Sequence, residues 1–165
     1  MADAATMTLE AVILPDEIQK TLSDLTFAYT PADANDKWYY KLVNVTTSSG
    51  NLIAGNFLQN SAGINVGSSE ATVSISDKVK FIFIKNTGTT DGSTSTDDSI
   101  YIVLDGGTAA HTSTDAIEIG AGESWYGKLT NTLVGNLNAI TGDANASSTG
   151  DGAAQCVVAA IIDDV

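Results

Sequence analysis

The chain is 165 residues long and carries twenty acidic residues against seven basic ones, for a net charge of −13. All seven basic residues are lysine, so no arginine fork is available for phosphate, and a surface this acidic is repelled by nucleic acid and by anionic membranes. A single cysteine excludes an internal disulfide, no apolar stretch approaches the ~20 residues of a membrane span, and the opening MADAATMTLEAVILPDE has acids where a secretory signal has Lys or Arg.

Length is compatible with one domain large enough to bury a core without staples. Charged residues make up 16% of the chain, against roughly 25% in typical soluble domains. Ser, Thr, Asn, Gly and Ala supply the surface instead, a composition suited to a turn-rich β-protein. Residues 1–14 read as an N-terminal arm that turns apolar at LEAVIL, and 15–165 as one β-sandwich domain. In PDEIQKTLSDL, Pro15 suits a first helical position, Asp16 and Glu17 suit a helix start, and Ile18, Leu22 and Leu25 follow helical spacing. The expectation is one short N-terminal helix, either capping the sandwich or reaching a neighbour.

Strands follow. Thr26–Tyr29 is a short candidate. Lys37–Val45 is a strong one, with Trp38, Tyr40 and Leu42 on one face and Tyr39, Lys41 and Val43 on the other. Leu52–Leu58 and Ala71–Ile75 are further candidates, the first with Gly55 at a bulge, the second with Val73 and Ile75 inward. Val79–Lys85, Ser99–Leu104 and Ala116–Leu129 form the apolar centre of the chain, joined by glycine-bearing polar loops. Leu133–Ile140 alternates weakly, TGDANASSTGDG reads as a long surface loop, and Gln155–Ile162 closes the chain as a buried strand. This pattern predicts an all-β fold, an antiparallel two-sheet sandwich or jelly roll with one short N-terminal helix.

Nothing in the sequence assembles a catalytic site. His111 stands alone in a Thr/Ser/Ala loop, Cys156 lies in an apolar run, and no Cys/His spacing fits zinc. GAGES lacks the order of a nucleophile elbow. Asp91, Asp97, Asp98, Asp105, Asp143 and Asp151 sit in loops that could pool oxygens for Ca²⁺, but none follows a calcium-hand spacing, and solvated turn residues explain them. No catalytic residue, metal or cofactor is expected.

The aromatics carry more information. Trp38, Tyr39 and Tyr40 are consecutive, as are Trp125 and Tyr126, so in a strand some must face away from the core. An outward aromatic serves a protein interface, a sugar platform or a covered edge. In the centre of the chain Ile100, Ile102 and Leu104 alternate with Tyr101 and Val103, leaving no polar face, where a half-exposed sheet would have one. Phe81–Ile84 and Cys156–Ile162 are likewise apolar on both faces. Bare patches of that kind are rare on monomers, so the expectation is that another protein covers them. The interface candidates are Leu9, Val12, Ile13 and Leu14 in the arm, and Trp38, Tyr39, Trp125 and Tyr126 in the strands.

Over residues 79–130 the chain resembles small β-sandwich structural proteins of tailed-phage virions, particularly those of cyanobacterial and marine phages. The resemblance rests on an FxxIKNTG-type strand (Phe81–Gly88), an IYI-type strand (Ile100–Leu104) and a Gly-x-Gly-Glu-Ser turn (Gly120–Ser124) before an aromatic strand. It covers about a third of the chain and consists of strand and turn grammar. It implies a non-enzymatic capsid decoration or cement protein, a homotrimer on the major capsid protein at the virion surface, made in the host cytoplasm. A tail or neck component, or a carbohydrate-binding or adhesin module, is the alternative.

Overall fold

The computed structural model describes residues 5–12, 21–31, 35–60, 72–143, 148 and 150–164. It is all-β and antiparallel, with strands β1 (Ala5–Val12), β2 (Thr21–Tyr29), β3 (Lys37–Val45), β4 (Gly50–Asn51), β5 (Gln59–Asn60), β6 (Lys78–Asn86), β7 (Ser99–Val103), β8 (Ile117–Ile119), β9 (Ser124–Leu133), β10 (Asn138–Gly142) and β11 (Ala154–Asp163). Two sheets make the sandwich: a five-stranded sheet in the order β5-β3-β11-β6-β9 and a four-stranded sheet in the order β4-β10-β7-β8. The hairpin β1-β2 forms a third sheet, hydrogen-bonded to neither of the others among the described residues.

The core lies between the two large sheets. Ile82, Ile84, Cys156, Val158 and Ile162 enter it from one side, Ile100, Ile102, Ile119 and Ala139 from the other. The segment expected as a strand over Leu52–Leu58 is instead an irregular turn. It still buries Leu52, Ile53 and Phe57, and Gly55 takes φ +74°, a left-handed conformation that favours glycine. Ala71–Ile75 is no strand over its described part, 72–75: Val73 is buried, but Ile75 sits in a turn and is 68% exposed. The weak alternation at 133–140 is explained by a short 3-10 turn, Val134–Asn136, that separates β9 from β10.

The N-terminal helix is the main correction. Residues 13–20, which include Ile18, lie outside the described residues, but Thr21–Leu25 belong to strand β2. The ladder explains how the spacing misled. Leu9 pairs with Leu25 and Ala11 with Leu22, so two steps on β1 oppose three on β2. This extra residue, a bulge, sets Leu22 and Leu25 three apart where their partners are two apart, the same spacing a helix would use. Of the expected arm, Ala5–Val12 form β1, paired with β2 in a hairpin that ends at Tyr29, while residues 1–4, 13 and 14 lie outside the described residues.

One network joins the two sheets at the loop end. Asn86, at the end of β6, is fully buried; its Nδ2 donates to the carbonyls of Asp98 (2.9 Å) and Ile119 (3.2 Å), and its Oδ1 accepts from the Gly88 N–H (3.0 Å). Ile119 belongs to the opposite sheet, so a single amide satisfies backbone groups of both layers. At the other end Lys37 is buried, with Nζ 2.6 Å from Asp77 and 2.9 Å from Asp164. Burial pulls the Lys37 pKa down, but the two carboxylates outweigh it and hold it above the usual lysine value.

Candidate protein-binding face

The two sheets treat their outer faces differently. On the four-stranded sheet every residue of β7 is buried. Tyr101 and Val103, on its outer side, form a small cluster with Ile140 and with Ala109 and Ala116 from the long β7–β8 loop. The Tyr101 hydroxyl donates to the Asp143 carbonyl at 2.7 Å. The cover expected from another protein is therefore supplied at β7 by the chain itself.

Among the described residues no such loop spans the five-stranded sheet. Its register places outward residues in three rows. Tyr40, Ala159, Phe83 and Tyr126 form the middle row; Trp38, Ile161, Phe81 and Lys128 lie on one side of it, Leu42, Val157, Lys85 and Ser124 on the other. Alternation on β3 and β11 separates these from the core-facing Tyr39, Val45, Cys156 and Val158. Phe81 and Ile161 are buried, whereas Tyr40 is 57% and Leu42 59% exposed. Leu58, whose N–H bonds the Trp38 carbonyl, is 50% exposed.

The charge pattern of this face is as distinctive as its apolarity. In a chain with twenty acids, the three rows hold none, and their only charges are Lys85 and Lys128. Asp163, beyond the rows at the strand end, is paired with Lys80 at 2.9 Å. Six of the seven lysines belong to the five-stranded sheet. Elsewhere the surface repels another copy of an acidic protein; here it does not.

The expected interface residues divide. Trp38, half-buried, and Tyr126 lie on this outer face. Tyr39 is a core residue, 2% exposed, its hydroxyl donating to the Ala54 carbonyl at 3.2 Å, and so is no surface anchor. Trp125 turns inward against the core, and its ring lies over Gly127, where a Cβ would stand 2.8 Å from it. Leu9 and Val12 are in β1, while Ile13 and Leu14 lie outside the described residues. Sequence reasoning named the runs Phe81–Ile84 and Cys156–Ile162 but did not single out Phe83, Val157 and Ala159, which the register assigns to the face. The signal was the alternation of β6 and β11, ambiguous because both of their faces are apolar.

The polar candidates resolve as turn residues. Asp91 accepts from the N–H groups of Ser93 (2.8 Å) and Thr94 (2.7 Å), bonds that pull its pKa below the usual carboxylate value. Asp98 accepts from Asp151 and Gly152, and Asp105 from Gly107. Among the described residues no three His, Cys, Asp or Glu side chains converge as a metal site. Cys156 is fully buried in the core, which pushes its thiol up to about 12, far from a nucleophile's range. It is not brought to His111, which stays beside Gly142 in the β7–β8 loop.

Comparison of the chain with protein-family models, with curated proteins and with solved structures gave no match in any of the three.

Proposed function

We propose that this chain is a non-enzymatic structural protein of a tailed-phage virion, a decoration or cement protein that self-associates as a homotrimer and stabilises the lattice of the major capsid protein at the particle surface. The observation that carries the reading is the outer face of the five-stranded sheet, where Tyr40 and Leu42 stay more than half in water on an acid-free surface. A monomer gains nothing from such a face; an assembly gains its burial. The virion context is supported by the resemblance over residues 79–130, and the rigid, cross-tied sandwich suits a protein whose work is to hold shape. A decoration protein that binds the assembled lattice in preference to free subunits shifts the equilibrium toward the shell by mass action.

The test is to incubate the purified chain with phage heads lacking it, separate heads by sedimentation, and measure bound protein and head survival on heating. The reading predicts saturable binding at a fixed copy number per head and a higher disruption temperature. Absence of binding to heads, with binding to tails or necks, would move the protein to those structures. Binding to neither would end the virion reading.

A further inference from the structure

The buried Lys37–Asp77 pair brings an amine and a carboxyl group to reacting distance away from water. Lys37 opens β3 and Asp77 stands just before β6, so the two flank β11, which lies between those strands in the sheet. Both residues are buried, Asp77 completely. Lys37 Nζ donates to Asp77 Oδ2 at 2.6 Å and to Asp164 Oδ1 at 2.9 Å. With a C–O bond of about 1.2 Å, Nζ stands within about 3.9 Å of the Asp77 carboxyl carbon, near the ~3–3.5 Å approach from which bonds form. The Phe57 ring lies 5.8 Å from Nζ and keeps that side apolar. Asp77 Oδ2 also accepts from the Ser74 N–H at 2.9 Å, whereas Oδ1 is buried with no hydrogen-bond partner among the described residues. A charged pair kept this dry, with one carboxylate oxygen unsatisfied, is a costly resting state.

From this geometry we infer that the two side chains join covalently, the Lys37 amine condensing with the Asp77 carboxyl group to an isopeptide bond with loss of one water. The Lys37 proton first passes along the 2.6 Å hydrogen bond to Asp77, leaving a neutral amine and a neutral acid. The nitrogen lone pair then forms the N–C bond at Cγ, and the carbonyl π pair moves onto oxygen, with the Ser74 N–H at hand to stabilise the charge. Asp164 takes a proton from the nitrogen and returns it to the departing hydroxyl, which leaves as water while the carbonyl re-forms. The hydrogen bond from Lys37 holds the Asp164 pKa below the usual carboxylate value, so Asp164 enters the reaction ionised and ready to accept that proton. In bulk water the hydration of ammonium and carboxylate opposes condensation; burial removes that hydration, and fixed positions replace a chance encounter. Asp164 is partly exposed, which gives the water a way out. The Lys80–Asp163 pair, at 2.9 Å, lacks this environment, because both side chains are partly exposed, and it stays an ion pair. The ion-pair behaviour of Lys37, its raised pKa included, belongs to the chain before the bond forms. The product ties β3 to β6 across β11, between residues 40 apart in sequence.

The bond is independent of the virion role and is read on the full-length chain alone. Intact mass under denaturing conditions is measured for the wild type, Lys37→Arg, Lys80→Arg and Asp164→Ala, with circular dichroism to verify that the β-spectrum is kept. Protease fragments are then sequenced by tandem mass spectrometry. The inference predicts a wild type one water lighter than the mass of its sequence, and a branched fragment that joins Lys37 to Asp77. Lys80→Arg should lose the same water and Lys37→Arg should keep it. Asp164→Ala should form the bond about a hundred-fold or more slowly, and so be isolated with unlinked chain. A wild type at full sequence mass would overturn the inference whether or not the variants fold. So would a water lost equally from Lys37→Arg, which would place the dehydration elsewhere, for instance at Asp91-Gly92. Complete linkage in Asp164→Ala would overturn the role given to Asp164.

Discussion

Replacing Tyr40 and Leu42 together by serine separates what the open face does for the fold from what it does for association. Full burial of a leucine or aromatic side chain is worth about 1.5–3 kcal/mol relative to exposure. At 57% and 59% exposure, the two residues have about 2–4 kcal/mol between them still to gain from a partner. An interface that buries them therefore weakens on substitution by between about thirty-fold and several hundred-fold in Kd. The fold should hardly respond, because neither residue belongs to the core between the sheets. A change within about 1 kcal/mol is expected, or less than about 4 °C in Tm for a chain of this size. The assay is a dilution series by sedimentation equilibrium, paired with thermal melting at a concentration where both forms are dissociated. Unchanged association with unchanged melting would remove this face from the interface. A melting temperature that collapsed would mean that the two side chains are packed within the chain after all.

Three further outcomes follow from the interior. Asn86→Leu leaves the Asp98 and Ile119 carbonyls and the Gly88 N–H without the bonds Asn86 makes; at about 1–3 kcal/mol for each buried group left unsatisfied, the loss is on the order of 4 kcal/mol, read as a drop of about 10 °C in Tm. Lys37→Met strands the fully buried Asp77 carboxylate and should cost about 3–5 kcal/mol in urea unfolding, whereas replacing Lys37 and Asp77 together by Met and Leu should recover much of it. The raised pKa of Lys37 means that its contribution is complete below the unfolded lysine value and fades as pH rises through the folded one. Cys156 should resist iodoacetamide at pH 8 in the native protein and react once per chain in denaturant. Because its folded pKa lies near 12, stability should fall as pH climbs from the ordinary thiol value toward that figure, a loss absent in Cys156→Ala.

The strands that were legible in the sequence are those whose partners leave them little choice. Lys37–Val45 is strand β3 at the residues expected, and the runs at Val79, Ser99 and Gln155 became β6, β7 and β11 within a residue or two. Their β-branched and aromatic content suffices, because each is flanked on both sides in its sheet. What local pattern could not convey is pairing. The bulge opposite Leu9 and Ala11 gave a strand the spacing of a helix, and only the ladder with β1 reveals it. In the same way, apolar residues on both faces of a strand announce that something covers them without saying what. For Tyr101 and Val103 it is the loop 104–116, a stretch of mostly polar sequence in which Ala109 and Ala116 do the covering. For Tyr40 and Leu42 nothing among the described residues does so. The candidate face was thus half visible, through Trp38 and Tyr126, and became a face only when the register aligned β3, β11, β6 and β9.

Sedimentation equilibrium of the unmodified, full-length chain, free of any other protein, bears most directly on whether sister copies cover this sheet. The account predicts one species at an integral multiple of the chain mass, three-fold for the proposed trimer, persisting into the micromolar range. A particle with the mass of a single chain at every concentration would contradict it.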